Sequence, residues 1–205
     1  MIDSERKSHW EGVYTSKQDN EVGWFEEQPL TSYQLVQKYC KLKSDPLIDI
    51  GGGNSFLAKI LHDKGFSDIN VLDVSGKALQ RNRSRFNNSV MVSWIENDVL
   101  NYKDEKKFII WHDRAVFHFL TSPEEIKHYA RTASHHILVG GHLIMGTFSR
   151  SGPSTCSGLP VMQYSFDSLL SVFEDHFEPV ESFENTHTTP SGNRQDYLWA
   201  VFRKK

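Results

Sequence analysis

The stretch Leu47-Ile48-Asp49-Ile50-Gly51-Gly52-Gly53-Asn54-Ser55 constrains this chain more than any other. Leu47 to Ile50 reads as a short buried strand, the three glycines as a turn, and Ser55 to Lys64 as a helix stopped by Gly65. Glycines at a strand-to-helix turn let the backbone pass close to a ligand, and the helix start offers free N–H groups. A second strand, Ile69 to Asp73, ends on a carboxylate 20 residues after Gly53. A carboxylate at that place can accept from both hydroxyls of a ribose. Gly51, Gly53 and Asp73 therefore predict a site for an adenosine-containing ligand.

The rest of the chain repeats the same alternation. Thr31 to Lys43 predicts a helix with Thr31 or Ser32 as N-cap, and Ser75 to Phe86 a helix capped by Ser75. Val90 to Ile95 and Phe108 to Trp111 read as strands. Pro123 to His136 reads as a helix, with Ser122 as N-cap and Pro123 where a missing N–H costs nothing. Gly140-Gly141 reads as a turn, and His142 to Phe148 as a strand. Helices alternating with strands imply a mainly parallel sheet covered on both faces, the Rossmann-like, doubly wound α/β class. The tail departs from this. After a helix at Phe166 to Glu174, two extended runs, Phe177 to Thr188 and Gln195 to Phe202, flank Pro190-Ser191-Gly192-Asn193. They predict a C-terminal antiparallel β-hairpin, completing seven strands. Residues 1–205 are expected to form one domain. Residues 1–30, rich in aromatic and charged side chains without a clean period, are expected to pack over it as an N-terminal arm.

Composition narrows the function. The chain is 38% hydrophobic and 24% charged with net charge −3, so no basic excess points to nucleic acid. Arg81, Arg83 and Arg85 read as a solvated helix face. Cys40 and Cys156 stand in no metal-ligand spacing, so neither a metal site nor a disulfide framework is expected. No run approaches the roughly 18 apolar residues of a membrane span, and the reducing cytoplasm is the default compartment.

The dinucleotide fingerprint needs Gly or Ala at position 56, where this chain has Phe56. The glycine stretch instead resembles the D/E-x-G-x-G-x-G motif of class I S-adenosylmethionine (SAM)-dependent methyltransferases, with Ser55 in place of the last glycine. Asp49 would be the motif's acidic residue. The resemblance implies that Asp98, after the third strand, faces the adenine amino group, and that the terminal hairpin supplies the family's sixth and seventh strands. His112-Asp113-Arg114-Ala115 resembles the WDRGA segment of thiopurine methyltransferase-like enzymes and the DKGT segment of seven-strand protein lysine methyltransferases, with Ala115 where both have Gly. That makes Asp113 and Arg114 candidate catalytic residues, just past the fourth strand. His112 and His118 are candidate bases or structural histidines. The arm, with Trp10, Trp24 and Phe25, resembles the aromatic leader of small methyltransferases, which closes over SAM and substrate. Trp24 then joins the cofactor residues. Phe25, Phe117, His187 and Arg194, with Phe148, Cys156 and Tyr164 beside them, are candidate substrate contacts. The expected activity is methyl transfer from SAM to a small-molecule nucleophile, a soft one such as a thiolate beside Arg114. The alternatives are transfer to a protein lysine and SAM binding without turnover.

Overall fold

A computed structural model describes residues 3–86 and 92–205. Its centre is a seven-stranded sheet in the order β3-β2-β1-β4-β5-β9-β8. β1 (Leu47–Ile50), β2 (Ile69–Asp73), β3 (Val92–Glu96), β4 (Phe108–Arg114) and β5 (Ile137–Phe148) run parallel. β8 (Phe177–Thr188) and β9 (Arg194–Lys204) form the antiparallel hairpin, with β9 inserted beside β5. The helices are α1 (Asp3–Ser16), α2 (Leu30–Tyr39), α3 (Leu57–Asp63), α4 (Gly76–Arg83), α5 (Pro123–His136) and α6 (Phe166–Phe173). β6 (Thr155–Cys156) and β7 (Leu159–Pro160) make a small separate hairpin.

Both faces of the sheet are covered, so the strands are apolar on both sides. Adjacent residues of β1 and β4 go to opposite cores. Ile48 and Trp111 join Phe108, Tyr129, Phe173 and Phe202 on the face carrying α5 and α6. Leu47 and Ile110 join Leu57, Leu61, Val71 and Val201 on the face carrying α2, α3 and α4. This is the period-2 alternation of a strand buried on both faces. Strand order reverses between β1 and β4, and in doubly wound sheets the ligand crevice lies at that reversal, outside the carboxyl ends of the strands.

Several local expectations are met: Ser75 accepts from the Ala78 N–H and Ser122 from the Glu125 N–H, capping α4 and α5. Others need correction. Residues 3–16 are helical, although their apolar residues give no broad stripe. Arg6, Trp10 and Tyr14 recur every four residues on one side, while Lys7, Glu11 and Thr15, one position on, bond α4 and β3. A helix whose partners are half polar leaves little hydrophobic period to read. α2 starts one residue early, behind Pro29 with no side-chain cap, and ends at Tyr39 because Cys40 is extended. Gly140-Gly141 is not a turn between elements. It sits inside β5, where Gly140 has φ +80° and the register with β4 shifts, the geometry of a bulge. The predicted strand start at Val90 and Met91 lies outside the described residues. Among the described residues no helix is long and apolar enough to cross a membrane.

Phe173 is fully buried and packs against Phe117, Phe177 and Phe202. Phe173→Ala is expected to lower unfolding free energy by about 3–5 kcal/mol in a urea titration. A change below about 1 kcal/mol would contradict this placement of α6.

Candidate active site

A cavity of about 750 Å³, counting its open mouth, lies at the switch between β1 and β4. Its floor is Ile50, Gly51, Leu72 and Asp73 from the ends of β1 and β2, with Asp98 and Val99 beyond β3 and Ala115, Val116, Phe119 and Leu120 beyond β4. Arg6, Trp10, Tyr14 and Trp24 of the N-terminal segment form the opposite wall.

The glycine loop is shaped by two close approaches. Gly51 has φ +66°, and a Cβ there would lie 2.0 Å from Val116 Cγ2. A Cβ on Gly53 would lie 2.4 Å from Asp73 Oδ2. Asp73 accepts the Gly53 N–H at 2.9 Å and the Ser75 N–H at 2.8 Å, so one carboxylate ties the loop after β1 to the start of α4. Burial pushes its pKa up to about 6 against those two bonds. Three more N–H groups around the loop are engaged: Gly51 donates to Leu72, Ser55 to Gly52 and Leu57 to the Ser55 hydroxyl. An anion-binding nest needs such N–H groups free. Tyr14 lies close enough for the Asp73 charge to add to burial in holding its phenol far above the usual range.

Asp98 lines the cavity as expected, yet it already has partners. Its carboxylate caps Leu100 N–H and takes Arg6 at 2.5 Å, and Arg6 also grips Glu125 at 2.6 Å. Asp49 does not line the cavity. It is buried and accepts from His112 Nδ1 at 2.6 Å, which leaves His112 Nε2 buried without a partner.

His112, Asp113 and Arg114 are the last residues of β4, not the residues after it, because β4 pairs with β1 and β5 through them. Asp113 is fully buried and points away from the cavity. It takes the Tyr129 hydroxyl at 2.5 Å and the N–H groups of Val116 and Phe117. Burial raises its pKa to about 6. These bonds hold the turn in which Ala115 adopts φ +69°, a strained value for a residue with a side chain. Arg114 does reach the cavity, and also a smaller pocket beside it with Trp24, Phe25 and Ser55. It is not a free cation: it donates to the Trp24 carbonyl at 2.9 Å and pairs with Glu26 at 3.1 Å.

The expected substrate residues scatter. Phe117 is core, packed on Tyr129, Tyr164 and Phe173. Phe148 is buried against His118, and burial pulls that imidazole down to about 3. His187 holds the N-terminal segment, reaching the Gly23 carbonyl at 2.8 Å and Glu26 at 3.2 Å. Burial works to raise the Glu26 carboxyl, but the His187 bond and the Arg114 charge outweigh it and keep it low. Arg194 is exposed at the hairpin and bonds Thr186, away from the cavity. Cys156 lines the cavity, and burial pushes its thiol up to about 11. Tyr14 lines the cavity as one of the aromatic residues of the arm, whereas Arg6 and Glu26 are site residues that the sequence reading lacks. The one sequence signal for Arg6 is its four-residue spacing with Trp10 and Tyr14.

No protein-family model matches the chain. A curated relative, nodulation protein S of Rhizobium tropici, is 28% identical over 79 residues, 38% of this chain and 33% of that protein's length. Two solved structures match over nearly the whole chain. The N-methyltransferase NodS of Bradyrhizobium japonicum, with S-adenosylhomocysteine, has TM-score 0.72 at 17% identity, covering 97% of this chain and 98% of that one. The 1,6-didemethyltoxoflavin-N1-methyltransferase of Burkholderia thailandensis has TM-score 0.76 at 16% identity, covering 100% and 91%. The chain thus has the fold of SAM-dependent methyltransferases.

Asp113→Ala is expected to cost about 3 kcal/mol of stability, because it strands a buried phenol and two N–H groups. Asp113→Asn keeps an acceptor for the amides and should cost markedly less. Equal losses in both, measured by urea unfolding, would count against the anchoring role.

Proposed function

We propose that the chain is a SAM-dependent methyltransferase that acts on a small molecule. The observation that carries the proposal is the Asp73–Gly53 contact: a buried carboxylate at the cavity floor with the glycine loop folded onto it. Such a carboxylate suits two ribose hydroxyls. Phe56, where a dinucleotide site needs Gly or Ala, disfavours a pyrophosphate at the start of α3 and suits a ligand without phosphate. Leu72, Val74, Val99 and Leu120 give apolar faces for a purine. An ionised carboxylate has about four acceptor positions. Asp98 has two engaged by Arg6 and Leu100, so an adenine amino group fits without displacing either.

When bound, SAM supplies a methyl group already activated by its sulfonium charge. The protein's own task is alignment and exclusion of water. Residues 1–30 serve that task as a cover. Among the described residues, 3–30, the ties include Arg6 to Asp98 and Glu125, Asp19 to Arg81, Arg85 and Asn54, and Glu26 to Arg114 and His187. A small acceptor fits under such a cover. The toxoflavin enzyme, solved with 1,6-didemethyltoxoflavin and S-adenosylhomocysteine bound, accords with this. The lysine alternative loses its motive, since Asp113 is fully buried, bonded to Tyr129, Val116 and Phe117, and does not line the cavity.

Calorimetry should give binding of SAM and S-adenosylhomocysteine and none of NAD; tight NAD binding without SAM ends the proposal. Asp73→Ala should weaken S-adenosylhomocysteine by roughly 2 kcal/mol or more. In the native protein affinity should fall as pH drops through about 6, where Asp73 protonates and becomes a poorer acceptor. In Asp73→Asn that dependence should vanish. Limited proteolysis between residues 17 and 29 should slow with S-adenosylhomocysteine; equal cutting with and without it would refute the covering role.

A further inference from the structure

The cavity has two chemically different ends. Asp73 and Asp98 mark the end assigned above to adenosine. The other end is walled by Trp10, Trp24, Phe119, Ala115 and Cys156. Trp10 meets Phe119 edge-to-face at 5.0 Å and Trp24 at 5.7 Å, so three rings in mutual contact form one aromatic wall of the cavity. Offset and edge-on ring contacts are the favoured partners of another flat ring.

Charge at this end is already balanced. Arg114 is paired with Glu26 and the Trp24 carbonyl, and Arg6, at the adenosine end, is held by Asp98 and Glu125. An anionic acceptor such as a thiolate would lose its hydration with no free cation to replace it. An ammonium would gain from the rings but has no lone pair until it loses a proton. Among the described residues lining this end there is no free carboxylate or imidazole to take one. Cys156 is a protonated thiol at neutral pH. His112 and His118 lie buried behind the wall and do not line the cavity.

We infer that this end takes a flat, uncharged heteroaromatic acceptor that presents a ring nitrogen with its lone pair free. The inference rests on the methyltransferase reading and narrows its substrate class. The ring nitrogen's lone pair forms the bond to the methyl carbon. The carbon–sulfur pair leaves on sulfur as S-adenosylhomocysteine, and the positive charge passes to the N-methylated ring. No proton moves, so no protein base is required. Aromatic rings beside the new cation favour it.

The test begins with the protein saturated with S-adenosylhomocysteine. If that ligand does not bind, the donor reading has failed and the acceptor question does not arise. To the complex, quinoline, benzenethiol and benzylamine are added separately at pH 7.5, with binding followed by calorimetry and tryptophan fluorescence. Quinoline should bind at least about tenfold more tightly than either of the others, a gap of about 1.4 kcal/mol. Phe119→Ala should weaken quinoline by about tenfold, and Phe119→Leu, which keeps apolar volume without a flat face, by less. With labelled SAM, N-methylquinolinium should form at a rate level from about pH 7 to about pH 9. Tighter binding of benzenethiol or benzylamine overturns the inference. So does undetectable quinoline binding, or quinoline affinity untouched by both Phe119 variants.

Discussion

Two backbone N–H groups donating to the carboxylate of Asp73 hold the site together. The aspartate ends β2, Gly53 belongs to the loop after β1, and Ser75 caps α4. One side chain therefore fixes the relative position of two strand ends and a helix start. Position 53 must be glycine for the contact to exist, because a Cβ would occupy the space of the carboxylate and of Ala78. Burying a carboxylate is costly unless it is hydrogen-bonded. Here the two N–H groups offset part of that cost, and the rest appears as a pKa near 6. Such a group is poised to accept further donors, which is what a diol-bearing ligand offers.

Everything above the floor depends on the N-terminal segment. Its many charged contacts join it to several parts of the sheet domain, among them the glycine loop through Asn54, α4 and the turn after it through Arg81 and Arg85, β4 through Arg114, α5 through Glu125 and β8 through His187. Partly exposed ion pairs contribute little singly. Combined with the ring contacts of Trp10 and Trp24, they give a cover that is specific in position yet modest in stability, as a segment that must admit ligands requires.

Strand and helix positions were largely legible because both faces of the sheet are buried. β1 and β2 are buried at every position and mostly apolar, and α5 carries both a serine cap and an N-terminal proline. The ribose-side residues Gly51, Gly53 and Asp73 were legible for the same reason: a strand-to-helix turn with a second strand beside it admits few arrangements. What lay beyond was decided by tertiary contacts that leave no local mark. Asp49 and Asp113 look like ligand groups in the sequence, but His112 and Tyr129 reach them only through the register of β1 with β4 and the packing of α5. Arg114 looks like a free cation until Glu26, 88 positions away in the chain, folds onto it. His187 and Arg194 sit on opposite strands of one hairpin, but only His187 faces inward.

The most direct measurement is a crystal structure of the protein with S-adenosylhomocysteine. Both ribose hydroxyls should lie within hydrogen-bond distance of Asp73, the adenine beside Asp98 and Val99, and the thioether sulfur towards the aromatic wall of Trp10, Trp24 and Phe119. Adenosine density away from Asp73, or a ligand phosphate cradled by the glycine loop in a parallel NAD soak, would contradict this account.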